Sequence, residues 1–249
     1  LDLTPFDFEL PERLIALRPV EPRSAARLLV VHGDGRLVDA HMRDLPDLLP
    51  GGAMLVFNDT RVLPAALSAV RPARDALGSD VEVSINLVEL EYTGTWKALA
   101  RPGKRLRTGD QLQIADGFWA DILAKDESGQ ITLGFNCKDE ALMDALGAHG
   151  DMPLPPYIAR RRKADGLDKT HYQTCFAGEE AASVAAPTAG LHFDADLLAG
   201  LEKAAIAREM VRLHVGLGTF APLTKAHWQS RRLHAEWRQI TEEVAARMT

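Results

Sequence analysis

The chain has 249 residues, 46% of them apolar and 26% charged, with a net charge of −6. That is long enough for one large domain or two ordinary ones, with the balance of a globular rather than a disordered protein. The acidic balance excludes a surface coated in positive charge, no apolar run approaches the roughly 18–20 residues of a membrane-spanning helix, and two cysteines make no disulfide framework.

Leu1 to Pro5 carries neither a basic nor an apolar signal region, so no export is expected and the expected location is the cytoplasm. Pro11 to Leu17 predicts a short helix opened by proline. Ala26 to Val31 and Arg36 to Met42 predict two strands joined by an Asp34-Gly35 turn. After Gly51-Gly52, the unbroken apolar run Ala53 to Phe57 predicts a strand covered on both faces, ending abruptly in Asn58-Asp59-Thr60-Arg61.

From about Ala65 to Phe135 the pattern changes. Val81, Val83, Ile85 and Leu87 alternate with polar residues, the period of a half-buried strand. Further strands are expected at 95–100, 111–114, 118–123 and 130–135, punctuated by turns at Thr108-Gly109-Asp110, Asp116-Gly117 and Ser128-Gly129. Short strands at this spacing, without helices between them, point to a small antiparallel barrel. Helix returns at Asp139 to Leu146, and α/β character follows. The expected fold class is therefore α/β (α+β). An α/β domain, residues 1–64 plus 150–249, is interrupted by an inserted antiparallel β-barrel at 65–149.

Pro153, Pro155 and Pro156 predict an extended path through Asp151 to Tyr157, suited either to lining a cleft or to joining domains. Two basic clusters stand out, Arg160-Arg161-Arg162-Lys163 and the set Arg101, Lys104, Arg105 and Arg107; charge alone reads both as solvated loops. Cys137 and Cys175 read as inert thiols. In Val184 to Phe193, Pro187 ends a run of small residues, and Thr188-Ala189-Gly190 predicts a loop whose backbone can approach a ligand. Asp194 then caps a helix whose buried stripe is Leu197, Leu198 and Leu201, with Phe193 and Leu198 as a hydrophobic staple. A glycine loop at a helix N-terminus offers N–H donors to an anion, and His192 stands at that junction, as a functional or merely structural side chain. Met210 to Val215 predicts a strand running into Gly216-Leu217-Gly218-Thr219-Phe220, which lacks the third glycine of a dinucleotide site. His234-Ala235-Glu236 pairs a base with a carboxylate. No metal-ligand spacing, nucleophile elbow or Walker loop is present, so the residues themselves imply a small-molecule cleft lined with His, Thr, Asp and Arg, and no metal.

Several stretches taken together resemble the S-adenosylmethionine:tRNA ribosyltransferase-isomerase family of queuosine biosynthesis. They are Phe6 to Pro11, Arg23-Ser24 with Arg27 to Leu29, Leu55 to Val62, Met152 to Tyr157, Tyr172 to Thr174, Val184 to Phe193, Leu213 to Phe220 and His234 to Glu236. The runs AAPTAGLHF and LHVGLGTF carry most of the specificity. The resemblance implies that the ribosyl part of S-adenosylmethionine is transferred to 7-aminomethyl-7-deazaguanine at the wobble position of tRNA. It is isomerised on the way, giving epoxyqueuosine and releasing adenine and methionine. S-adenosylmethionine is then a substrate, no cofactor is permanently bound, and the partner is tRNA, with a monomer expected. Candidate acid–base groups are His192, His214 and Asp59, with His192 first; Glu236 is a further candidate donor. Asn58, Thr60, Arg61, Tyr157, Pro187, Thr188, Ala189, Gly190, Gly216, Gly218, Thr219 and Glu236 are expected to line the substrate. Both basic clusters become candidate phosphate contacts. The resemblance also implies further motifs beyond Thr249, of the types GTTSxR, TNFHLP and SYGD. Were the chain truly truncated there, a non-catalytic RNA-binding remnant is the alternative.

Overall fold

The computed structural model describes residues 4, 7–220, 224–233 and 235–248. The predicted N-terminal helix is only a 3-10 turn at Glu12–Leu14, closed by Leu14 N–H to Pro11 O and Ile15 N–H to Glu12 O, before the chain extends through Pro19 and Pro22. A second 3-10 turn, Arg23–Ala25, leads into the hairpin of β1 (Arg27–Val31) and β2 (Leu37–His41), with Gly35 at φ 85° in the turn. After 3-10 turn Met42–Asp44 and α1 (Leu45–Leu48) come β3 (Met54–Asn58) and the two-residue β4 (Arg61–Val62).

The next six strands form a closed antiparallel barrel: β5 (Ala66–Arg71), β6 (Val81–Leu90), β7 (Trp96–Arg101), β8 (Gln111–Ala115), β9 (Phe118–Lys125) and β10 (Ile131–Phe135). Around the barrel the order is β10-β7-β6-β5-β8-β9, and β9 pairs again with β10, so no edge is left open. The alternation legible in β6 is the barrel's inside: Val81, Val83, Ile85 and Leu87 are buried among Leu67, Trp96, Leu112, Ile122, Ile131 and Leu133. Gly109, Gly117 and Gly129 all take positive φ at the turns. Helix α2 (Asp139–His149) then packs Leu142 and Leu146 into the same core, and His149 stacks near Phe118 at 5.9 Å.

The chain leaves for the barrel and comes back at one place. Ala66 and Asp151 form an antiparallel bridge, with Asp151 N–H to Ala66 O at 2.8 Å and Ala66 N–H to Asp151 O at 3.1 Å. Beyond it, Met152 to Pro155 is extended as the prolines require, and α3 (Pro156–Ala159) and α4 (Asp168–His171) follow. The remaining elements are β11 (Ala181–Ser183), the 3-10 turn Thr188–His192, α5 (Ala195–Lys203), β12 (Ala207–Leu213), the 3-10 turn Leu217–Phe220, α6 (Lys225–Ser230), β13 (Arg238–Gln239) and α7 (Glu242–Met248).

Strands β3 and β12 pair in parallel, from Met54 opposite Ala207 to Asn58 opposite Val211, and β13 adds to the other edge of β12. One face of β3 packs against α5 in a core of Phe57, Phe193, Leu197, Leu201, Ile206 and Met42. Phe57 meets Phe193 edge-on at 5.0 Å and Phe176 at 4.7 Å. The other face differs from the sequence expectation: Met54 and Val56 are exposed, because among the described residues α5 covers only one side of this three-stranded sheet. A continuous apolar run does not by itself say how many faces are covered.

Gly150 sits where the helix end, the outgoing chain and the returning chain meet. A Cβ there would lie 2.1 Å from Pro64 O and 2.6 Å from Leu146 O, both backbone atoms that cannot step aside. Gly150→Ala is expected to lose about 1–3 kcal/mol in urea unfolding. Gly147→Ala, in the same helix with open space at its Cβ, is expected to lose nothing.

Candidate functional site

The stretch from Val184 to Phe193 is built by small residues passing through a crowded place. Ser183 Oγ lies 2.7 Å from Thr60 Oγ1 and accepts Val215 N–H at 2.8 Å, and Val184 N–H donates to Val215 O at 3.1 Å. Val184, Ala185 and Ala186 are buried among these neighbours. Pro187 then starts the 3-10 turn Thr188–His192. Here the structure corrects the sequence reading of the glycine. Gly190 approaches protein rather than open space: a Cβ would meet Phe176 Cζ at 2.9 Å and Thr174 Cγ2 at 3.0 Å. The expected anion site at the start of α5 is likewise occupied. The Asp194 carboxylate caps the helix through Leu197 N–H at 3.0 Å and reaches Ser24 N–H at 2.8 Å.

His192 lies on the wall of a cleft of about 680 Å³ between the N-terminal arm, α3, α4 and this turn. Thr188, Tyr157, Tyr172, His171 and Arg23 share the wall. The imidazole Nδ1 is 3.1 Å from Ala189 O. A carbonyl only accepts, so Nδ1 is the donor, and in the neutral tautomer the lone pair lies on Nε2. Tyr172 is buried, and burial pushes its phenol up to about 12, with the Ala186 backbone opposing and Tyr157 adding to the rise.

The arm is held over the cleft by one buried carboxylate. Asp168 takes Arg162 through Nη1 at 2.7 Å and Nη2 at 2.6 Å, Arg18 Nη1 at 2.8 Å and Asp165 N–H at 2.9 Å. Arg18 also pairs with Asp165. Burial alone would push the Asp168 carboxyl up, but the Arg162 fork, the Asp165 N–H and the two guanidinium charges outweigh it and hold the carboxyl below its ordinary range. Arg23 adds bonds to Gln173 O at 2.6 Å and Thr170 O at 2.8 Å. Sequence reasoning missed this hub because Arg18 and Asp168 are 150 residues apart; a lone aspartate beside a basic cluster was its only trace.

The other candidates gather at the ends of β3 and β12, and most of their polar atoms are already used. Asn58 clamps the two strands, Nδ2 donating to Leu213 O at 2.9 Å while Oδ1 accepts Leu213 N–H and Thr60 N–H at 3.1 Å. Asp59 is gripped by Arg212 through Nε at 3.0 Å and Nη2 at 2.8 Å, so its carboxylate serves an ion pair rather than standing free as a base. Arg61 donates to Gly178 O at 2.6 Å. His214 stacks on Trp237 at 4.2 Å, and its buried Nε2 lacks a partner; burial pulls its pKa down, with Arg212 adding to the effect and Glu180 and Asp59 opposing it. Glu236 accepts from Gly216 N–H at 3.1 Å and Thr219 Oγ1 at 3.4 Å, while Gly218 stands in the intervening 3-10 turn. His234 lies outside the described residues. Candidates thus fall into two groups: Tyr157, Thr188 and His192 on the cleft, with Pro187, Ala189 and Gly190 in the same turn, and the remainder at the strand ends.

The basic clusters also separate. Arg161 bonds Glu12 O at 2.9 Å and Arg162 bonds Leu17 O at 3.0 Å as well as Asp168, so both fasten the arm and neither is free for phosphate; Arg160 and Lys163 are exposed. Arg101, Lys104, Arg105 and Arg107 are exposed on the barrel. Desolvation keeps Cys137 and Cys175 as thiols, above their ordinary range. Among the described residues no group of three His, Cys, Asp or Glu could hold a metal, and no helix is long and apolar enough to cross a membrane.

Residues 3–249 match the family model described as queuosine biosynthesis protein. The chain is 64% identical over 248 residues to the S-adenosylmethionine:tRNA ribosyltransferase-isomerase of Hyphomonas neptunium, covering 100% of this chain and 71% of that protein. It is 48% identical over 241 residues to the protein of the same name from Maricaulis maris, covering 96% and 68%. Among solved structures, the S-adenosylmethionine tRNA ribosyltransferase of Thermotoga maritima is similar at 29% identity with a TM-score of 0.38; the match spans 98% of this chain and 64% of that one.

The Asp168 hub carries a pH dependence of defined sign. Its folded pKa lies below the unfolded value of about 3.9. Its contribution is therefore complete above that pH and is lost as the pH falls through the folded value. Asp168→Asn is expected to cost about 2–3 kcal/mol at neutral pH, less than a fully buried pair because Arg18 reaches solvent. Hydrogen exchange should show residues 12–23 loosened in the variant at neutral pH, and in the wild type only in acid. Equal protection in both at neutral pH would rule the hub out.

Proposed function

Because the chain belongs to the queuosine biosynthesis protein family, we propose that it transfers and isomerises the ribosyl moiety of S-adenosylmethionine onto 7-aminomethyl-7-deazaguanine at the wobble position of tRNA. Epoxyqueuosine forms in the tRNA, and adenine and methionine leave. Membership across residues 3–249 favours this enzyme over a non-catalytic RNA-binding remnant. The protein acts in the cytoplasm as a monomer. Residues 1–64 with 150–249 form the catalytic domain and 65–149 the inserted barrel domain, a division supported by the Ala66–Asp151 bridge.

The observation that carries the chemical reading is His192 on the cleft wall, with Nδ1 committed to Ala189 O and Nε2 without a protein partner among the described residues. The sulfonium of S-adenosylmethionine acidifies the neighbouring C5′ hydrogens, and Nε2 takes one of them as general base. Thr188 and Tyr157 bound the same pocket and hold the donor, while Pro187, Ala189 and Gly190 shape the turn that presents Thr188 and His192. Much of the remaining barrier falls to placing the neutral amine of the deazaguanine against the ribosyl carbon. At the strand ends, Arg212 fixes Asp59, Ser183 holds the buried Thr60 and Asn58 fixes the backbone, so these three shape the site while Arg61, His214, Gly216, Gly218, Thr219 and Glu236 frame the substrate rather than start the reaction. Arg101, Lys104, Arg105, Arg107, Arg160 and Lys163 supply exposed positive charge for the tRNA backbone, which makes a net −6 tolerable.

The test is incubation with S-adenosylmethionine and tRNA bearing the precursor base, with released adenine as the readout. Adenine is expected only when both substrates are present. His192→Ala should lower the rate by about 10²–10⁴-fold, the usual worth of a positioned base. Near-normal turnover in that variant would reject His192 as the base, and no adenine from the wild type would reject the reaction.

A further inference from the structure

The loop that carries Arg101, Lys104, Arg105 and Arg107 is fastened by its backbone and by a partly sequestered ion pair, not by those four side chains. Asp110 is buried and accepts Arg74 Nε at 2.7 Å, Arg74 Nη2 at 2.6 Å and Arg107 N–H at 2.7 Å. The same Arg74 Nη2 donates to Arg105 O at 2.8 Å. From the other side, Lys125 Nζ donates to Gly103 O at 2.8 Å and Leu106 O at 3.2 Å. Leu106 is itself buried in the barrel core and pins the middle of the loop. Hydrogen bonding to Arg74 holds the Asp110 carboxyl below its ordinary range against the opposing effect of burial.

Arg74 and Lys125 thus hold three carbonyls between Gly103 and Leu106, while the four cationic side chains of the loop have no protein partner among the described residues. This division contrasts with Arg161 and Arg162, whose guanidinium groups are engaged by the N-terminal arm and Asp168. A loop fixed in advance loses less freedom on binding than one that must order around its partner. We propose that Arg74, Asp110 and Lys125 are positioning residues that hold loop 101–110 ready as a phosphate-binding surface of the barrel for RNA. The proposal rests on the reading of tRNA as substrate and adds the surface that holds it. The hollow beside the loop, about 450 Å³, carries Arg101, Lys104 and Lys125 on its wall as well as Asp126 and Glu127, so its positive side is the side of the loop.

The experiment is a fluorescence titration of transcribed tRNA with the full chain at a series of KCl concentrations. Replacing Arg101, Lys104, Arg105 and Arg107 together by Ala should flatten the dependence of log affinity on log salt by about 0.7–0.9 for each phosphate no longer neutralised. Arg74→Met and Lys125→Met leave every phosphate-facing cation in place. They should weaken binding by about three- to tenfold, as when one or two side chains must be ordered on binding, with the wild-type slope retained. Amide exchange at 103–109 should rise in both. A merely structural role predicts lower stability with unchanged affinity, and that result overturns the proposal, as does a quadruple variant with the wild-type slope or a wild type without RNA affinity. A wild type that shows the predicted slopes but releases no adenine supports the clamp and refutes the proposed reaction.

Discussion

The cleft depends on a single buried carboxylate. Asp168 gathers Arg18 from the N-terminal arm and Arg162 from the segment after α3, and so joins two parts of the chain that share no strand pairing. A carboxylate this enclosed is tolerable only when fully partnered, and two guanidinium groups and one backbone N–H provide that. Without it the arm that forms one side of the cleft would rest on its other contacts, among them those of Arg23, Arg161, Arg162 with Leu17 O, and His171 with Glu21.

The barrel was the most legible part of the sequence, because its evidence is local. Alternation in Val81 to Leu87 states which side chains face inward, and the glycine turns at 117 and 129 mark the reversals between β8 and β9 and between β9 and β10. The Asp194 cap was equally readable, since a cap and its helix are neighbours in the chain. Covering of β3 was not, because a run such as Ala53 to Phe57 is written identically whether one face or two is buried.

What each candidate side chain touches was not legible in the sequence. The resemblance made Asn58 and Arg61 candidate substrate ligands and Asp59 a candidate acid–base group; the structure shows their groups bonded to Leu213, Gly178 and Arg212, each more than a hundred residues away. Gly190 looked like a place for a ligand to approach, and it is where Phe176 and Thr174 approach instead. Such pairings are set by tertiary contacts, which no local pattern encodes. His192 is the reverse case: an ambiguous residue in sequence whose tautomer becomes defined once Ala189 O is placed beside Nδ1.

The bridge between Ala66 and Asp151 has a bearing on how this architecture could arise and be taken apart. Two ends of a segment that are hydrogen-bonded to each other close their loop without straining the rest of the chain, whatever the segment's length. That joint is not the only contact with the host, because Leu63 and Val184 from outside the segment pack into the same core as the barrel strands. Resizing a turn within 67–150 leaves that joint untouched, whereas exchanging the whole segment would have to preserve both the Ala66–Asp151 pairing and the apolar surface that receives Leu63 and Val184.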